Sequence, residues 1–154
     1  MAAMTRAELL AHLQRLHACP DAQAWVAATP GDPSHLWSTS DRVDWLLWLA
    51  AESGLVLPVV LAACDCARTA LRYVPVGEDR PLRAIEIAER IGSGELTGAA
   101  AGDARAAAWA ARAAAGAAGD AAWAENLRLV RARIPWALVE SALSAASESV
   151  SSPE

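Results

Sequence analysis

The chain has 154 residues, of which 55% are hydrophobic and 20% charged, and its formal net charge is −5 at neutral pH. This length suits one domain with a substantial core. The acidic balance argues against nucleic acid and anionic membranes as partners, because both attract basic surfaces, but it leaves a basic protein partner open. Three cysteines cannot all pair, nothing resembles a signal peptide and no apolar run reaches 18 residues. We therefore expect a cytoplasmic protein without a membrane span.

Helical signals begin close to the amino terminus. Thr5 and Glu8 form a capping box, and the leucines that follow recur at helical spacing to about His17. A second, short helix is expected over about 20–28, and a single helical turn over 34–38. The first part of the chain is therefore predicted to consist of short helices joined by tight connections.

Two tryptophans, Trp45 and Trp48, lie on one face of the next predicted helix. Thr39 or Ser40 is the expected cap of this helix, and Gly54 suits the left-handed position that ends it. The apolar stripe that these tryptophans share with neighbouring leucines predicts that both belong to the core.

The stretch Leu55–Tyr73 is predicted to be the central helix of the fold. It is apolar almost all the way round, which is typical of a buried helix. Its strong polarity is confined to Asp65, Arg68, Thr69 and Arg72, whose spacings of three, four and seven place them on one face. We call this face and its expected partners the polar seam.

The polar seam poses an electrostatic problem if the central helix is buried. A buried guanidinium costs several kcal/mol unless it is paired, and Asp65 can pair well with only one of Arg68 and Arg72. Either further carboxylates come from other helices, of which the nearest in sequence are Asp44, Glu52, Glu86 and Glu89, or this face is open to solvent. Two interpretations stay open: an inter-helix ion-pair network, or a face that binds a partner.

The second half of the chain continues the helical pattern. A helix is predicted over about 82–91, and the Ala-rich stretch 99–118 favours close helix packing. Two more amphipathic helices are expected over 120–134 and from Trp136 to about Ala146. No stretch shows the alternation typical of a strand.

Together these patterns predict an all-α fold. We expect a single-domain multi-helix bundle of about seven to nine helices over residues 1–146, built around a buried central helix at 55–73. The Ser-rich tail 147–154 is expected to be disordered.

Metal and catalytic motifs give no positive prediction. Cys64 and Cys66 would point about 200° apart on a helix, so one ion could not bind both there, and packing explains them better. His17 and Cys19 could supply two ligands to a metal, with His12 or His35 nearby in sequence, but surface histidines are the favoured interpretation. We predict no catalytic residues, no metal and no cofactor.

Two tryptophans are candidates for exposed binding positions. Trp37 falls in the single turn predicted over 34–38, within a connection that is otherwise loop-like, and it is the tryptophan most expected to be exposed. Trp109 shares a helical face with Arg105 and Arg112, an arrangement that suits either internal packing or a binding hot spot.

Several stretches of the chain resemble one known family. They are Asp44–Leu49 (DWLLWL), Ala63–Arg68 (ACDCAR), Val74–Pro81 (VPVGEDRP), Ala84–Glu89 (AIEIAE) and Gly94–Glu95. This combination resembles the bacterial immunity proteins often called Imm-5-like. The resemblance implies a small cytoplasmic protein that binds and neutralises a cognate toxin stoichiometrically, without catalysis. It also marks polar residues on or beside the seam, namely Asp44, Asp65, Arg68, Asp79, Arg80, Glu86 and Glu95.

Two other functions remain open from the sequence. One is a structural or adaptor module that self-assembles, as a homo-oligomer, or binds another protein through exposed Trp and Ala faces. The other is a small-ligand binder that uses a pocket between helices, lined by Arg68 and Arg72.

Overall fold

The computed structural model describes residues 2–95 and 120–150. Across these residues the chain is all-α, with eight α-helices, one short 3₁₀ helix and no strand, as the sequence predicts. The helices are α1 (Arg6–Arg15), α2 (Pro20–Ala28), α3 (Pro33–Thr39), α4 (Val43–Glu52), α5 (Val56–Ala70), the 3₁₀ helix η1 (Leu71–Tyr73), α6 (Arg80–Gly92), α7 (Asp120–Arg133) and α8 (Trp136–Val150).

Local capping explains where the first helices begin. At α1 the Thr5 hydroxyl accepts the Glu8 amide at 3.2 Å, and the Glu8 carboxylate accepts the Thr5 amide at 2.7 Å, which confirms the capping box. At α3 the Asp32 carboxylate accepts the His35 amide at 2.8 Å, and Pro33 occupies the first turn. α3 is therefore a helix of two turns where the sequence predicted one.

Two other boundaries differ from the sequence expectations. α4 begins at Val43, because the Ser40 hydroxyl accepts the Arg42 amide at 3.2 Å ahead of the helix. α8 continues to Val150, beyond the end predicted at Ala146 and into the Ser-rich tail.

The chain divides into two compact units. Unit 1 comprises Met1–Gly54 and Pro135–Glu154, and unit 2 comprises Leu55–Ile134. The sequence predicted one domain over 1–146, so the structure gives a finer division of the chain. Each unit is described by itself below.

Unit 1 is built from α1 to α4 together with α8. Its core combines large side chains with buried alanines such as Ala50, and Leu36 and Leu143 are each only 2% exposed. α1 packs on α2, and α3 packs on α8. The Met4 amide donates to a Glu140 carboxylate oxygen at 2.6 Å, which ties the amino-terminal segment to α8.

Unit 2 is organised around α5, which packs against both α6 and α7. Small side chains dominate the buried face of α5, and Ile85, Ala88 and Ile91 of α6 pack against that face. At Gly92 an added Cβ would lie 2.8 Å from the side chain of Leu61, so the glycine permits the close approach of α5 and α6. This position of α5 agrees with its predicted central role.

Burial of α5 is less complete than the sequence suggested. Val56 and Leu57, in its first turn, are 50% and 46% exposed, and Tyr73 in η1 is 69% exposed. The expectation of a helix buried along all of 55–73 is therefore wrong at both ends. Among the described residues, no helix combines the length and apolar character needed to cross a membrane.

Candidate functional site

An ion pair of the polar seam links α5 to α6. Arg68 donates to both carboxylate oxygens of Glu89, at 2.5 Å and 2.7 Å. The side chains are 43% and 30% exposed, so the premise that Arg68 is buried is wrong. The hydrogen bonds from Arg68 lower the pKa of Glu89. Glu89 is one of the partners that the sequence proposed for this arginine.

A second ion pair links α5 to α7. Arg133 donates to both carboxylate oxygens of Asp65, each at 3.0 Å. From the sequence, Asp65 is expected to pair with Arg68 or Arg72, and Arg133 is not a candidate because it lies 68 positions away. The two pairs are inter-helix ion pairs, the arrangement that the structural interpretation of the seam requires.

Arg72 is placed differently from Arg68. Its side chain donates to the Thr69 carbonyl at 2.8 Å and lies 5.8 Å from the ring centroid of Tyr73. No carboxylate among the described residues forms an ion pair with it. Arg72 and Tyr73 together therefore present a cation and an aromatic ring at the surface of unit 2.

The remaining seam residues do not join one continuous network. Four of them pair with a neighbour in sequence: Asp44 with Arg42, Asp79 with Arg83, Arg80 with Glu78, and Glu95 with Arg90. Glu86 is exposed on α6 and forms no ion pair with a described residue. Asp44 and Glu52 lie in unit 1, whereas the other seam residues lie in unit 2. Within the part of the chain that the structure describes, the seam pairs that join two helices are therefore Asp65 with Arg133 and Arg68 with Glu89.

The connection between η1 and α6 forms a shallow groove. Its volume is about 500 Å³, and apolar side chains such as Leu71, Val74 and Leu82 line it. Val76, next to the groove, is fully exposed, and Tyr73 is 69% exposed. These residues belong to or adjoin the VPVGEDRP stretch, so this part of unit 2 offers an apolar surface beside Arg72.

A tryptophan-lined cavity lies within unit 1. It has a volume of about 50 Å³, and five of the chain's seven tryptophans contribute to its wall: Trp25, Trp37, Trp45, Trp48 and Trp136. Trp25 and Trp45 have ring centroids 5.9 Å apart, and those of Trp37 and Trp136 are 6.0 Å apart. We call this site the tryptophan cavity.

The structure corrects the expectation for Trp37. This residue is only 5% exposed, because α3 extends through it and carries its ring against Trp136 of α8. The other tryptophan singled out from the sequence, Trp109, lies outside the described residues together with Arg105 and Arg112.

The histidines and cysteines differ in how far their burial agrees with the sequence predictions. His17 and His35 are exposed, as expected of surface histidines. His12 is buried, contrary to that expectation, and its burial and the nearby charge of Arg15 lower its pKa. Cys64 and Cys66 are both buried, and burial raises their thiol pKa values to about 11 and about 12. The described residues contain no group of three or more His, Cys, Asp or Glu side chains arranged to hold a metal ion.

Charge is distributed unevenly along the chain. The residues of unit 1, 1–54 and 135–154, include nine Asp and Glu and only three Arg. Residues 55–134 include nine Asp and Glu and ten Arg. The acidic balance of the protein therefore arises in unit 1, while unit 2, which carries most of the seam, is close to neutral.

Comparison with known proteins found no matching family model, no matching curated protein and no matching solved structure. The resemblance to immunity proteins therefore stays an expectation based on the stretches quoted above.

Proposed function

We propose that this chain is a non-catalytic binding protein for a basic protein partner. In the form implied by the resemblance, it is a cytoplasmic immunity protein that neutralises a cognate bacterial toxin stoichiometrically. The observation that carries the proposal is the concentration of negative charge in unit 1. A surface of one sign accelerates encounter with an oppositely charged protein and suppresses the wrong partners.

The acidic side chains of unit 1 are available for such an encounter. Asp21, Glu52 and Glu148 are all exposed, and they lie on three different helices. Only Arg6, Arg15 and Arg42 can offset the carboxylates of this unit, and Arg42 is already engaged with Asp44. These three carboxylates therefore contribute exposed negative charge to unit 1.

The experiment begins with capture of the partner by the tagged protein from a lysate of the source organism, followed by mass spectrometry. We expect one basic protein, bound at near one-to-one, whose toxicity on expression is relieved by co-expression of this chain. Recovery of the bait alone would overturn the proposal, and so would a captured protein whose toxicity the chain does not relieve.

Charge variants then test the role of unit 1. The triple variant Asp21→Asn, Glu52→Gln, Glu148→Gln should lower the association rate about tenfold at low salt, and the loss should shrink as salt is added. The matched control removes three carboxylates from unit 2 by the changes Asp79→Asn, Glu86→Gln and Glu95→Gln. The control should change the rate less than twofold. Equal effects of the two triple variants would contradict the assignment to unit 1.

One observation favours self-assembly as a second candidate function. Of the six large hydrophobic side chains exposed among the described residues, five belong to unit 2: Val56, Leu57, Tyr73, Val76 and Ile87. Exposed apolar surface is typical of protein–protein contacts. Light scattering over a hundredfold range of concentration distinguishes the candidates, because self-assembly predicts a mass that rises with concentration and the immunity proposal does not require this.

The predicted small-ligand site beside Arg68 and Arg72 has less support. Arg68 is engaged by Glu89 through two hydrogen bonds, so a ligand would have to displace that carboxylate. The groove and the cavity described above are lined by other residues.

A further inference from the structure

We infer that the tryptophan cavity of unit 1 is a binding site for a small, uncharged alkyl group. This inference is independent of the proposed immunity function, because it concerns the interior of unit 1 and requires no protein partner. It rests on the chemistry of the cavity wall, on the cavity volume and on the side chains at its mouth.

The wall of the cavity selects against charge. None of the residues that line it is ionisable, and most carry only carbon in their side chains, such as Leu9, Leu13 and Val26. Ser40 contributes the single hydroxyl, and that oxygen already accepts the Arg42 amide at 3.2 Å. A polar or charged group placed here would lose its hydration without finding partners, which costs free energy. An apolar group forms no hydrogen bonds with water, so its entry into the cavity avoids this cost.

The volume of the cavity sets the size of its ligand. Apolar protein cavities of about 150 Å³ stay dry and bind benzene or xenon. The tryptophan cavity, at about 50 Å³, is roughly one third of that size. Its enclosed part therefore accepts a short or branched alkyl group and excludes an aromatic ring.

The mouth of the cavity gives a ligand access to the interior of unit 1. Trp25, Trp45, Trp48 and Trp136 are only partly buried, so the aromatic wall reaches the surface. The Arg42 guanidinium lies 4.4 Å from the ring centroid of Trp45 and occupies that aromatic face. Arg42 is paired with Asp44 and is not among the residues that line the cavity, so the selection against a charged ligand comes from the apolar wall. The site therefore favours a neutral ligand.

Intrinsic fluorescence provides the assay, because five of the chain's seven tryptophans line the cavity. The probes are the straight-chain primary alcohols from ethanol to hexanol. We expect saturable changes in emission, with the dissociation constant falling about fourfold for each added methylene. One third of a cavity that binds benzene takes about two carbons, and the aromatic wall at the mouth can contact about two more, so this gain should stop within about four carbons. Butylammonium should bind more weakly than butanol.

Two leucine variants on α2 form a matched pair. Ala22 lines the cavity and Ala24 is exposed on the same helix. Ala22→Leu should fill the cavity and weaken butanol binding more than tenfold, whereas Ala24→Leu should change it less than twofold. If Ala22→Leu does not fold, Ala22→Val tests the same point with a smaller side chain.

Several results would overturn the inference. One is a non-saturating change in emission equal to that of N-acetyltryptophanamide in the same alcohols. Another is an affinity independent of chain length, or butylammonium binding as tightly as butanol. These readouts use the unaltered protein, so they decide the question even if both Ala22 variants fail to fold.

Discussion

The ion pair between Arg68 and Glu89 offers a quantitative test of where the polar seam lies. If the seam were buried, removing one partner would cost about 3–5 kcal/mol, because the other charge would be left desolvated. The structure places the pair at the surface, with side chains 43% and 30% exposed. Exposed pairs contribute about 0.2–1 kcal/mol. The two hydrogen bonds between Arg68 and Glu89 put this pair near the upper end of that range.

A double-mutant cycle measures this contribution. The cycle compares the unaltered protein with Arg68→Met, Glu89→Ala and the double variant, using urea unfolding followed by circular dichroism. We expect a coupling free energy of about 1 kcal/mol that is largely lost in about 1 M salt. Methionine keeps the apolar stem of the arginine, so its packing on the helix is preserved.

The pair Arg90–Glu95 supplies the control for this cycle. It makes one contact of 3.3 Å, and its side chains are 58% and 63% exposed, so its coupling should be about 0.3 kcal/mol or less. A coupling above about 3 kcal/mol at Arg68–Glu89, unchanged by salt, would refute the surface assignment. A coupling no greater than that of the control would refute the ordered bidentate geometry.

Two further predictions concern the interior of unit 2. Ile91→Ala should lower the free energy of unfolding by about 2–4 kcal/mol, because Ile91 is only 4% exposed. Ile87→Ala on the same helix should change it by about 0.5 kcal/mol or less, because Ile87 is 50% exposed. Urea unfolding measures both values, and equal losses would contradict the orientation of α6. At pH 8 a thiol-specific disulfide reagent should modify Cys19 rapidly and spare Cys64 and Cys66, because their buried thiols have pKa values raised to about 11 and about 12. All three thiols should react in urea. Rapid reaction of all three in the folded protein would show that α5 is not buried as described.

The sequence predicted the helices well because their signals are local. The capping box of Thr5 and Glu8 and the apolar pattern of α5 depend on residues within a few turns of each other. Trp37 was misplaced because Asp32 and Pro33, a cap followed by a first-turn proline, were interpreted as a turn. That pair was the signal that could have revealed α3 and, with it, the burial of this tryptophan.

The candidate sites were harder to predict because they depend on tertiary contacts. Arg133 reaches Asp65 across 68 positions, and no local pattern selects it over Arg68 or Arg72 as the partner. The tryptophan cavity likewise requires α1 to α4 and α8 to meet. Sequence spacing predicted Trp45 and Trp48 to be core residues, but both are only partly buried, and the space between them depends on side-chain packing.

The two units are packed with side chains of different size and shape. This difference affects where we expect binding. In unit 2, alanine and cysteine side chains let α5 approach α6 closely, down to the contact of Gly92 with Leu61. Small residues of this kind bury little apolar area each, so we expect the two inter-helix ion pairs to help fix the register of the helices.

Unit 1 instead packs rigid indole rings against leucines, and rings of fixed shape adapt less readily to irregular space than flexible side chains do. The cavity follows from that choice of residues, and it lies in the unit that also carries the excess negative charge. Binding of an alkyl group and attraction of a basic protein are therefore both expected of unit 1, and the charge variants and the cavity variants separate the two.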